Sequence, residues 1–173
     1  MNSAGKKTVL LVEDDLIIAM SEKMSLQKLG YDIELARTGE RAVELFKTGA
    51  RIDLVLMDID LGAGIDGTEA ARLILQTRDI PIVFLSSHTE PEIVAKTEKI
   101  TSYGYVVKSS STTVLETSIK MAFKLFHAND VYKNTFEFSI NGLCIHRMLY
   151  NADATPSDCE YIDVNPALRA PQA

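Results

Sequence analysis

Only two cysteines occur in the 173-residue chain, Cys144 and Cys159, and they form no Cys-x-x-Cys pair. With no histidine at metal-ligand spacing beside them, they read as free thiols in a reducing cytoplasm, which excludes a disulfide or zinc framework. No apolar stretch approaches the ~18 residues of a membrane span. The opening Met1–Lys7 lacks the apolar core of a signal peptide, so a cytoplasmic protein with no membrane segment is expected. No Lys/Arg block or recognition-helix pattern offsets the formal net charge of -6, which argues against direct nucleic-acid binding. Hydrophobic residues make up 46% of the chain, enough for one globular core and an appendage without covalent support.

What is present is an alternation. Short β-branched apolar runs at Thr8–Val12, Asp32–Ala36, Asp53–Met57, Ile82–Leu85 and Tyr103–Val107 predict strands. Helical patterns near Leu16–Leu29, Glu40–Thr48, Thr68–Gln76 and Glu90–Ile100 lie between them, and a fifth starts near Thr112. Gly30 and Gly49 stand where helices stop. Asp66 before Glu69 and Thr89 before Glu92 have the spacing of reciprocal caps. Five β/α units in alternation imply a parallel sheet covered on both faces. The runs at 8–12, 53–57 and 82–85 are almost continuously apolar and read as central, whereas 32–36 alternates and reads as an edge. A strand order of 2-1-3-4-5 follows, with the order reversing between the first and third strands, where such sheets bind ligands.

Four strands deliver polar groups at that edge: Glu13-Asp14-Asp15, Asp58, Ser86 and Lys108. Taken singly, each reads as a turn, cap or loop residue. Together they describe chemistry. Crowded carboxylates repel one another unless a cation joins them, and Mg²⁺ is the hard ion that takes oxygen ligands and works with phosphates. A lysine and a hydroxyl suit phosphoryl oxygens. The set points to a carboxylate that carries a phosphoryl group as an aspartyl phosphate.

The pieces Leu11-Val12-Glu13-Asp14-Asp15, Leu56-Met57-Asp58, Asp66-Gly67, Pro81 to Ser86 and Gly104 to Lys108 resemble the receiver domain of two-component response regulators over residues 8–127. The resemblance implies a flavodoxin-like α/β fold: a five-stranded parallel doubly wound sheet with five helices, here followed by a helix/hairpin tail. It implies that Asp58 is the phosphoacceptor. It implies that Asp15 and Asp58 bind Mg²⁺ directly, with Asp14 helping through water and the Asp60 backbone carbonyl as a further ligand. Ser86 and Lys108 would hold the phosphoryl group, and Ser86 and Tyr105 would form a switch pair acting on the surface of the fourth helix, fifth strand and fifth helix. The implied partner is a sensor histidine kinase or phosphotransfer protein as donor. That same surface, or the tail, would support a homodimer. The domain itself would be no enzyme beyond autophosphorylation and autodephosphorylation.

Three features depart from the family pattern. Ser109 follows Lys108 where most receivers have proline, so either a trans bond with a rearranged loop or a strained cis bond is expected. The segment from Asp58 to Gly67 is rich in glycine and one residue longer than in the chemotaxis type. In receivers the positions of Asp60 and His88 flank the path of the hydrolytic water, so the resemblance implies that this pair tunes phosphoryl lifetime. His127 and His146, without acidic or cysteine partners in sequence, read as surface or core residues.

The organisation expected is a receiver at 6–128, a connecting helix and linker at 129–140, and at 141–173 a segment resembling the opening of a PAS sensory domain. The last resemblance rests on an entry helix, a first hairpin and Val164-Asn165-Pro166-Ala167. On this reading the chain is the N-terminal piece of a larger receiver–PAS sensor kinase or cyclase. A phosphatase-like hydrolase is the competing enzyme class: Asp58-Ile59-Asp60 has its spacing but lies on the third strand. A non-catalytic dimerising scaffold is the remaining class.

Overall fold

The computed structural model describes residues 5–87, 97, 100 and 103–169. Strands β1 (Thr8–Val12), β2 (Asp32–Ala36), β3 (Leu54–Asp58), β4 (Ile82–Ser86) and β5 (Tyr105–Val107) form one parallel sheet of order β2-β1-β3-β4-β5. Helices α1 (Leu16–Lys28), α2 (Gly39–Lys47) and α3 (Gly67–Thr77) link the first four strands, and a long helix, Thr112–Tyr132, follows β5. The helix expected near 90–100, with its Thr89 and Glu92 cap, lies outside the described residues apart from Thr97, which is helical and buried, and Ile100.

Burial follows the sequence pattern. β3 and β4 are buried throughout and β1 nearly so, while β2 at the edge alternates between exposed and half-buried positions. Two apolar clusters cover the two faces of the sheet. One joins Leu10, Val12, Val55, Met57, Ile82 and Phe84 to α2 and α3. The other joins Val9, Leu11, Leu54, Leu56, Val83, Leu85 and Val106 to Leu26 of α1 and to Ile119 and Ala122 of the long helix. Alternate residues of each strand feed opposite clusters, as the two-residue period of a strand dictates.

Local signals set the element ends. Thr38 Oγ1 accepts the Arg41 N–H at 3.1 Å to start α2. Asp66 Oδ1 accepts the Glu69 N–H at 2.8 Å to start α3, while the Glu69 carboxylate pairs with Arg72 at 3.2 Å. α1 departs from the amphipathic expectation. It buries Ala19 and Leu26 but exposes Leu16, Ile17, Met20 and Met24, so it is apolar on its outer side too. The Lys108–Ser109 bond is trans, no cis bond occurring among the described residues, and a turn follows it in which the Ser110 N–H donates to the Val107 carbonyl at 2.9 Å.

The chain divides into two compact units, Met1–Phe126 and His127–Ala173. In the second, a π-helical turn at Lys133–Glu137 leads to the antiparallel strands β6 (Cys144–Tyr150) and β7 (Pro156–Val164). Asn165 is fully buried: its Oδ1 accepts from the Leu143 N–H at 2.8 Å and the Leu168 N–H at 3.2 Å, and its Nδ2 donates to the Asn141 carbonyl at 2.8 Å. One expectation is corrected here. Cys144 does have a histidine neighbour, since its Sγ lies 3.0 Å from His146 Nε2. Residues two apart on a strand share a face, and that is the spacing of this pair.

Candidate functional site

At the C-terminal edge of the sheet, Lys108 holds two carboxylates. Its Nζ donates to Asp58 Oδ2 at 2.7 Å and lies 2.6 Å from Glu13 Oε2. Asp58 is 2% exposed and Glu13 1%. The alternation of the strands explains this grouping. Glu13 stands two residues after Leu11, Asp58 two after Leu56 and Lys108 two after Val106, all three apolar residues belonging to one cluster. The three polar groups therefore emerge on one side of the sheet, where its apolar layer ends. Strand pairing sets their height: Val12 pairs with Met57, and the Lys108 N–H donates to the Ser86 carbonyl at 2.8 Å.

Burial raises the pKa of Asp58 above the usual carboxylate range, against the lowering effect of Lys108. Burial also raises that of Glu13, with Asp58 repelling it and Lys108 again opposing. Burial acts to lower the Lys108 ammonium, but hydrogen bonds to Asp58 and Glu13 outweigh it and raise the pKa. A fourth titratable group faces this cluster from α1. Glu22 lies on the stripe between Ala19 and Leu26, and burial, with repulsion from Glu13, pushes its pKa up to about 7. Sequence reasoning missed Glu22, which sits inside a helical stripe that otherwise reads as apolar.

Among the described residues, Glu13, Asp14 and Asp58 each offer a carboxylate oxygen within 4.8 Å of the others. The acid grouped here with Asp14 and Asp58 is Glu13, and not Asp15, which was expected as a direct ligand. Asp15 is instead the N-cap of α1, where its Oδ1 accepts the N–H groups of Ile17 at 2.8 Å and Ile18 at 3.1 Å. Those bonds, the Ile18 one first, hold its pKa below the usual range. The last acid before a helix caps it, and the two preceding acids are left for the site. The signal for Glu13 was present in its spacing from Leu11, which repeats that of Asp58 from Leu56.

The donor set fits Mg²⁺. It offers hard carboxylate oxygens, and two of the acids carry raised pKa values that a cation would relieve. A cavity of about 520 Å³ opens beside it, lined by Asp14, Ile59, Asp60, Leu61, Gly62, Gly64 and Asp66. The Asp60 N–H donates to Asp58 Oδ1 at 3.2 Å, and Asp60 is one of the residues lining this cavity. Ser86 is fully buried at the end of β4. Tyr105 opens β5, paired with Phe84, and packs half-buried against the cluster that carries α2 and α3. His88 lies outside the described residues.

Fold and pocket together define a doubly wound parallel α/β domain with a lysine-paired carboxylate at its topological switch point. The chain belongs to the response regulator receiver domain family, whose model matches residues 9–120. It is 32% identical over 117 residues to the transcriptional regulatory protein AfsQ1 of Streptomyces coelicolor, covering 68% of this chain and 51% of that protein. It therefore spans about half the length of that regulator. The crystallised N-terminal domain of a response regulator/sensory box/GGDEF 3-domain protein from Carboxydothermus hydrogenoformans is 47% identical, with a TM-score of 0.67 over 72% of this chain and 99% of that one. The chemotaxis protein CheY4 of Vibrio cholerae is 25% identical, with a TM-score of 0.62 over 68% and 99%. The family match ends before the tail, where the PAS resemblance rests on sequence alone. No helix among the described residues is long and apolar enough to cross a membrane.

Proposed function

We propose that Asp58 accepts a phosphoryl group from a histidine kinase or phosphotransfer protein and that the acyl phosphate switches the surface of the domain. The observation that carries this reading is the buried Asp58 carboxylate held 2.7 Å from Lys108 Nζ at the end of β3. An Asp58 oxygen attacks phosphorus, and the bond from phosphorus to the donor's imidazole nitrogen breaks. The electron pair stays on that nitrogen, which takes up a proton. Lys108 transfers its hydrogen bond from Asp58 to an equatorial phosphoryl oxygen, where it offsets negative charge in the transition state. Glu13, Asp14 and Asp58, with the Asp60 carbonyl, would hold Mg²⁺, which supplies further charge neutralisation there.

Ser86 turns its hydroxyl toward the phosphoryl group and Tyr105 follows, a population shift of the surface that includes β5 and the long helix. The same surface is our candidate for homodimer formation. Water attacking phosphorus returns Asp58 to its carboxylate, and Asp60 with His88 sets the lifetime. A cytoplasmic location accords with this reading. The tail, with a hairpin followed by a short helix at Pro166–Arg169, is read here as the opening of a PAS domain.

Intact mass after incubation with acetyl phosphate and Mg²⁺ tests the proposal. A single phosphoryl adduct absent from Asp58→Asn supports the switch. Rapid multiple turnover of the donor points to a hydrolase instead, and no adduct from any donor points to a scaffold.

A further inference from the structure

Arg37, in the connection between β2 and α2, and Glu40, in the first turn of α2, each hold a backbone group at the acidic cavity or beside it. Arg37 Nη2 donates to the backbone carbonyl of Asp14 at 2.9 Å, on the wall that follows β1. Three residues later, Glu40 Oε1 accepts the Ile65 N–H at 2.8 Å, in the glycine-rich loop after β3, between the cavity-lining Gly64 and Asp66. Both bonds join a charged side chain to a backbone group, the stronger class of hydrogen bond. The Ile65 N–H is also the first cause of the depressed pKa of Glu40, so the acceptor stays charged.

The loop is shaped to these contacts. A Cβ on Gly62 would stand 2.9 Å from Asp14 Oδ2, so the loop backbone lies directly against a proposed metal ligand. Gly64, at φ +103°, adopts a left-handed conformation, and a Cβ there would run into the Glu40 carboxylate. Gly39 is gripped as well, since a Cβ on it would approach Ile65 Cγ1 to 2.6 Å. The loop is thus pressed onto Asp14 at one end and tied to Glu40 at the other, while Asp14 is tied to Arg37.

We infer that Arg37 and Glu40 are positioning residues of the acidic site, a brace that fixes Asp14 and the glycine loop relative to each other and so sets the affinity for a divalent cation. The inference rests on the phosphoacceptor reading and deepens it. Mg²⁺ keeps several waters and demands near-octahedral geometry, so small displacements of Asp14 or of the Asp60 carbonyl are felt as lost affinity. Residues that hold ligands in place rather than ligate typically change metal affinity by roughly 10–100-fold.

Calorimetric titration of the full chain with Mg²⁺ tests this, with wild type beside Arg37→Ala, Glu40→Ala, Glu40→Gln and the double alanine variant. Each alanine is expected to weaken binding on the order of tenfold. Glu40→Gln should remain near wild type, because its amide carbonyl still accepts the Ile65 N–H. The double variant should lose less than the product of the single losses, because both residues support one gap. Melting temperatures without Mg²⁺ should change little. Alanine variants with wild-type Mg²⁺ affinity would overturn the brace alone. So would affinity and melting temperature falling together with glutamine no better than alanine, since that marks a general loss of fold. A wild-type chain that binds no Mg²⁺ would overturn the phosphoacceptor reading, and this inference with it.

Discussion

Lys108 Nζ donates to Asp58 Oδ2 at 2.7 Å. The same ammonium lies 2.6 Å from Glu13 Oε2, so one cation serves two buried acids. Before any phosphoryl group arrives, Lys108 is a structural counterion, and its removal should be read first as a change in stability.

Lys108→Ala is expected to cost about 3 kcal/mol near pH 8, the low end for breaking a buried pair, because Lys108 keeps 14% of its side chain exposed. Asp58 and Glu13 already have raised pKa values, and without the lysine both rise further. Near pH 5 they take protons more readily, so the loss should shrink there. Urea unfolding at the two pH values measures the difference, and an equal loss at both would contradict the assignment.

Glu22 gives a second pH dependence. Its folded pKa of about 7 lies above the reference of 4.5. Between those values the folded chain holds a proton that the unfolded chain has released, so stability falls as pH rises and levels off above about 7. The charged groups that act on it are Glu13, Lys108 and Asp58. Glu22→Gln should flatten the melting-temperature profile between pH 5 and 8.

Ile17 is 82% exposed on the first turn of α1, two residues after the cap residue Asp15. With Leu16, Met20 and Met24 it makes an exposed apolar patch on α1 which, on the proposed function, would serve a protein donor and not a small one. Ile17→Glu should slow phosphoryl transfer from a cognate kinase at least about tenfold, the scale of a ~1.4 kcal/mol interface loss. Its rate with acetyl phosphate should stay at the wild-type level. A parallel loss with both donors would locate the defect in the site itself.

Asn165→Ala removes the acceptor for the Leu143 and Leu168 N–H groups and the donor to the Asn141 carbonyl. Roughly 1–3 kcal/mol of local stability should go with them. Hydrogen exchange at Leu143 and Leu168 should accelerate, while exchange in β1 and β3 stays unchanged.

Much of this was legible before the structure. Continuous apolar runs against the alternating 32–36 segment ordered the sheet, because a strand's period reports how many of its faces are covered. Asp58 and Lys108 were singled out by their places at strand ends, and the structure brings the two together. The acidic run after β1 was harder. Three acids in succession look alike in sequence, and only the combination of strand alternation with the start of α1 separates Glu13 and Asp14 from the cap Asp15. The brace was illegible for another reason: Arg37 and Glu40 act on backbone groups, which carry no sequence signature. Cys144 and His146 were read as unconnected, although a strand places residues two apart on the same side.

Glu13, Asp58 and Lys108 each trail an apolar core residue by two positions, on three different strands. A one-residue insertion or deletion just before any of them would turn that group to the other side of the sheet. The trio thus works as a three-digit lock read across β1, β3 and β5. Only a chain whose β1, β3 and β5 ends all emerge in phase can close its ion pairs, so on the proposed function phosphoryl uptake would report that the sheet has been assembled correctly.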